Sequence, residues 1–108
     1  MKLYNKVRTL GVAPELILAL LVAESVYQKH GGHAVITCVI EGKHMNGSLH
    51  YTGCAVDLAI GINAGVPIAS AGPIIKAIKD NLSADYDAIL ETDHIHIEYQ
   101  PKASLTEL

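Results

Sequence analysis

The chain has 108 residues, half of them apolar, with five Tyr and neither Trp nor Phe, which suits one compact domain with an aliphatic core. Its 8 basic and 11 acidic residues leave a net charge of −3 with no Lys/Arg cluster, which sets nucleic-acid binding aside. The longest apolar run, residues 16–23, is far shorter than the ~20 residues of a membrane span, and the start, Met1-Lys2-Leu3-Tyr4-Asn5-Lys6, lacks a signal-peptide pattern.

In chain order, Pro14 fits the first position of a helix that runs to Lys29 and ends at Gly31-Gly32. Apolar residues surround it almost completely, which predicts a central buried helix. Residues 34–40 (Ala-Val-Ile-Thr-Cys-Val-Ile) are short and β-branched, a strand pattern. Residues 41–53, rich in Gly, Asn, Ser and His, read as a loop, and 54–60 as a second strand. Pro67 and Gly72-Pro73 lead into a helix over about 73–82. Strands follow near 86–90 and 94–99, and the tail from Pro101 reads as irregular. One or two helices on a small antiparallel sheet make an α+β fold in a single domain spanning 1–108. The two cysteines, Cys38 and Cys54, are too few for a disulfide framework or a thiolate cluster and read as small buried apolar residues.

Chemistry concentrates in two segments. His50-Tyr51-Thr52-Gly53-Cys54-Ala55-Val56-Asp57 offers a His and an Asp, and Glu91-Thr92-Asp93-His94-Ile95-His96 offers two His beside two carboxylates. Catalytic zinc in hydrolases takes three such ligands and leaves a fourth position to water. Ligands of one zinc lie ~2 Å from it. Two turns of continuous helix would part His50 and Asp57 by ~10 Å, so the chain must reverse between them, and Thr52-Gly53 is the natural place.

Strand alternation sorts the remainder. Cys54, Val56, Leu58 and Ile60 share one face, the core, while Ala55, Asp57 and Ala59 share the other. Cys54 therefore points away from Asp57. Ile95, Ile97 and Tyr99 form the apolar face of the last strand, with His94, His96 and Glu98 opposite. Two His at i and i+2 can thus reach one site.

These residues match a known pattern. Ser48-Leu49-His50-Tyr51-Thr52-Gly53-Cys54-Ala55-Val56-Asp57 resembles the Ser-x-His-x-x-Gly-x-Ala-x-Asp motif of the zinc D-Ala-D-Ala carboxypeptidase and L-alanyl-D-glutamate endopeptidase family. His94-Ile95-His96 resembles the His-x-His of the wider superfamily, which includes murein endopeptidases and the Hedgehog signalling domain. The likeness extends in order and spacing over residues 34–99.

The resemblance implies a Hedgehog/DD-peptidase-like fold, with zinc bound by His50, Asp57 and His96. It implies that Asp93 is the general base and that His94 stabilises the transition state beside the metal. A rival alignment takes Glu91-x-x-His94 as the motif, making Glu91 the base and His94 the ligand. Ser48 either holds a substrate group or caps the turn.

Family enzymes carry an Arg before the first motif to bind the substrate carboxylate. This chain has Cys38-Val39-Ile40-Glu41-Gly42-Lys43-His44 there and no Arg after Arg8, so Lys43 or His44 stands in that place, with a point charge where Arg has a fork. Only Glu41 remains of the acidic residues that bind calcium in Hedgehog, so no calcium site is expected.

The expected activity is hydrolysis of peptidoglycan stem peptides, by a monomer made in the cytoplasm that reaches the cell wall after release, as a phage or prophage lysis enzyme does. The alternative is a zinc-bearing binding module on the same scaffold that has lost catalysis.

Overall fold

A computed structural model describes residues 1–3, 13–40 and 54–100. In chain order they form β1 (Lys2–Leu3), α1 (Pro14–Lys29), β2 (Val35–Ile40), β3 (Cys54–Ala59), α2 (Ala71–Asp80), β4 (Tyr86–Glu91) and β5 (His94–Tyr99). Two short 3-10 turns, Ile62–Ala64 and Ile68–Ser70, bridge β3 to α2.

The strands make one sheet in the order β1-β2-β3-β5-β4. β2, β3, β5 and β4 pair antiparallel, and β1 adds a short parallel edge to β2. Both helices cover the same face of this sheet, so the fold is α+β in two layers. Leu16, Ala19, Leu20, Ala23 and Tyr27 of α1 join Ile74 and Ile78 of α2 over Val56, Leu58, Ile95 and Ile97. No helix among the described residues is long and apolar enough to cross a membrane.

Pro14 opens α1 at a position whose N–H has no partner within a helix. The helix ends in a Schellman arrangement: Gly31 takes φ 87°, its amide donates to the Gln28 carbonyl, and the Gly32 amide donates to that of Tyr27. Close packing follows at once. A Cβ on Gly32 would lie 2.1 Å from the Ala64 carbonyl oxygen, which also accepts the His33 amide. Only glycine lets the helix exit sit against the turn that follows β3.

α1 departs from the expectation of a helix buried all round. Ile17, Leu18 and Leu21 are each about half exposed or more. In a two-layer domain a helix meets the sheet on one side only, so its apolar circumference exceeds what the sheet and α2 cover. α2 begins at Ala71, two residues before Pro73. The proline is its third residue, where the missing N–H costs no helical hydrogen bond.

The alternation expected of β5 holds, whereas in β3 Ala55 and Ala59 are buried as well and only Asp57 is partly exposed. Cys54, Val56, Leu58, Ile60, Ile95 and Ile97 are buried in the core, and Tyr99 packs partly buried against it. Cys38, in contrast, is exposed rather than buried. A bulge lies between Ile36 and Cys38: Ile36 pairs with Leu58, and Cys38 with Asp57, leaving Thr37 as the extra residue. The bulge turns Cys38 to the helix-free face while Ile36 and Val39 stay with the core.

Candidate metal centre

The helix-free face of the sheet gathers the polar residues by register. Asp57 stands opposite His96, and His96 in turn opposite Ile89. One row along, Ala59 stands opposite His94, and His94 opposite Glu91. Facing residues of antiparallel strands lie ~5 Å apart at Cβ, so three strands contribute to one small area. The small side chains of Ala55 and Ala59 flank Asp57 along β3.

The hairpin joining β4 to β5 places Glu91 beside His94. Its two turn residues are Thr92 and Asp93, and Thr92 adopts φ 49°. A β-branched residue is strained in this left-handed region. The Asp93 carbonyl accepts the Ile60 amide at 3.2 Å, tying the turn to the end of β3.

The side chains meet closely. His96 Nδ1 is 2.7 Å from Asp57 Oδ1 and 3.6 Å from Glu91 Oε1. His94 Nε2 is 3.6 Å from Glu91 Oε1 and 3.8 Å from Asp57 Oδ2. Asp57, Glu91 and His94 each supply a ligand atom within 4.8 Å of the others. Asp57 and His96 are mostly enclosed, with side chains 18% and 17% exposed, whereas Glu91 at 47% opens to solvent.

Outward nitrogens have partners as well. His96 Nε2 lies 3.1 Å from Glu98 Oε1, and His94 Nδ1 lies 3.3 Å from Asp93 Oδ1. Burial works against a charged His96 ring. Hydrogen bonds to Asp57 and Glu98, together with the charges of Asp57 and Glu91, outweigh it and raise the His96 pKa.

The donor set suits a divalent metal of the zinc type: imidazole nitrogen with carboxylate oxygen. Among the described residues, the group whose donor atoms lie close enough to share one ion is Asp57, Glu91 and His94, while His96 Nδ1 is hydrogen-bonded directly to Asp57 at 2.7 Å.

Of the residues singled out from sequence, Asp57, His94, His96 and Glu91 come together here. Asp93 sits at the rim, 77% exposed, with its carboxylate on the outer nitrogen of His94. His50, Ser48 and Lys43 lie outside the described residues. Cys54 is buried and belongs to the opposite face. Strand alternation puts Glu98 on this face, and its spacing of two residues from His96 is the sequence signal for their contact.

Compared with known proteins, the chain finds no match: no family model, no curated protein and no solved structure.

Proposed function

We propose that this chain is a zinc-dependent peptidase that hydrolyses peptidoglycan stem peptides, on a Hedgehog/DD-peptidase-like scaffold. The observation that carries the reading is the convergence of Asp57, His96, His94 and Glu91 at 2.7 to 3.8 Å on one sheet face. The choice of peptide substrate rests on the resemblance of residues 48–57 and 94–96 to the zinc carboxypeptidase and endopeptidase motifs.

Asp57 and His96 would hold the ion, with His50 as the third ligand supplied by the motif. Bound zinc supplies Lewis-acid polarisation of the scissile carbonyl and a water acidic enough to react at neutral pH. Glu91 serves as the base in this reading, because its carboxylate lies among the inward nitrogens while that of Asp93 lies behind His94. Glu91 takes the proton of the attacking water on Oε1 and passes it to the leaving amine. His94 turns Nε2 inward and Nδ1 against Asp93, and with both ring nitrogens protonated it donates from Nε2 toward the developing oxyanion. Taking His94 as ligand in place of His96 uses the same four side chains and the same base.

A second reading is a zinc-bearing binding module without turnover. It is favoured by the absence of any Arg after Arg8 to grip a substrate carboxylate.

Incubation of the zinc-loaded protein with muropeptides, followed by mass spectrometry, separates the two. Release of D-Ala identifies a carboxypeptidase, and cleavage between L-Ala and D-Glu an endopeptidase. Stoichiometric zinc with no product leaves the binding module standing and removes the enzyme.

A further inference from the structure

Each histidine of the centre turns one ring nitrogen inward and has the other met from outside by a carboxylate. His94 turns Nε2 inward, with Asp93 behind Nδ1; His96 turns Nδ1 inward, with Glu98 behind Nε2. The two outer carboxylates are held differently. Asp93 occupies an exposed turn, whereas Glu98 lies on β5 itself, two residues from His96 and therefore on the same face by the period of the strand.

We infer that Glu98 is a positioning residue for the metal centre, holding the His96 ring so that Nδ1 is the nitrogen offered to zinc. This inference rests on the reading of Asp57 and His96 as ligands. A neutral imidazole carries one N–H and one lone pair, and only the lone pair can bind a metal. An acceptor at Nε2 keeps the proton there and leaves the lone pair on Nδ1. The same hydrogen bond restrains ring rotation, which would otherwise turn a carbon toward the metal. Carboxylates behind ligand histidines recur in zinc sites for these reasons.

Asp87 provides a matched comparison. It stands opposite Glu98 in the β4–β5 register and carries the same charge, but its carboxylate is 3.4 Å from Lys79 Nζ. Neutralising Asp87 changes the local field without touching the hydrogen bond to His96.

The test is zinc affinity, measured by competition with a chromophoric chelator, in wild type, Glu98→Ala, Glu98→Gln and Asp87→Asn. Thermal unfolding of each metal-free protein serves as the control for folding. Glu98→Ala should weaken zinc binding about 10- to 100-fold. Glu98→Gln, whose amide oxygen still accepts from Nε2–H, should recover most of that loss, and Asp87→Asn should match wild type. Wild-type affinity in Glu98→Ala, or an equal loss in Asp87→Asn, overturns the inference while leaving the zinc reading intact. A wild type that takes up no zinc overturns the zinc reading and the inference with it. A long-range 1H–15N spectrum of the zinc-loaded wild type gives a second answer independent of any variant. Nδ1 bound and Nε2 protonated on His96 is the expected state, and the opposite assignment overturns it.

Discussion

Asp57 on β3 and His96 on β5 stand directly opposite each other in the antiparallel register, and the carboxylate meets the imidazole Nδ1 at 2.7 Å. This pair is the least exposed part of the cluster, and both Glu91 and His94 are arranged around it. Carboxylate and ring nitrogen are joined here by a hydrogen bond, so a metal ion entering between them displaces a proton.

Asp57→Ala should therefore abolish stoichiometric zinc uptake. The readout is the unfolding transition with and without zinc. A ligand at a hundred times its Kd stabilises the native state by about 2.7 kcal/mol, so wild type should gain several degrees in Tm and Asp57→Ala none. An equal gain in the variant would remove Asp57 from the ligand set.

Tyr27 links the helix layer to the strand that carries Asp57. Its ring is fully buried in the core, and its hydroxyl donates to the Ala59 carbonyl at 2.9 Å. Burial raises its pKa, so the hydroxyl stays neutral and remains a donor. Tyr27→Phe keeps the packing but leaves that carbonyl without its donor. Denaturant unfolding should show a loss of about 1–2 kcal/mol with unchanged m-value.

Glu24 gives the fold a defined acid sensitivity. Its carboxylate accepts the Ala34 amide at 2.9 Å, lies 2.9 Å from His33 Nδ1, and also takes a hydrogen bond from Gln28. Burial pushes its pKa up, but these partners outweigh it and bring the pKa from 4.5 down to about 2. The folded state thus binds fewer protons than the unfolded chain in this range. The stabilisation is full above about pH 4.5 and is lost as the pH falls toward about 2. Glu24→Gln should lower Tm at neutral pH, and its difference from wild type should shrink across that window.

Much of this architecture was legible because the large apolar residues of β3 and β5 recur at every second position. Apolar residues at 54, 56, 58, 95 and 97 set the core face, which left Asp57, His94, His96 and Glu98 together on the other. The limits of α1 were legible from Pro14 and from the Gly31-Gly32 exit. Its exposed side was not, since Ile17, Leu18 and Leu21 read the same whether covered or bare.

β1, of two residues, is too short to show any period. The exposure of Cys38 follows from a bulge, which depends on pairing with β3 rather than on local sequence. The resemblance favours Asp93 as the base, with Glu91 as the rival. Only the turn through Thr92 at φ 49° decides which carboxylate faces the inner nitrogens.

The central claim is tested most directly by one comparison: zinc content and muropeptide turnover of wild type, Glu91→Gln and Asp93→Asn, measured on the same preparations. Glu91→Gln should hold zinc at the wild-type ratio and lose turnover by at least ~100-fold, the range of a general base. Asp93→Asn, altered only behind His94, should keep zinc and retain a substantial share of the rate. Wild-type turnover in Glu91→Gln, with activity lost in Asp93→Asn instead, would contradict the account.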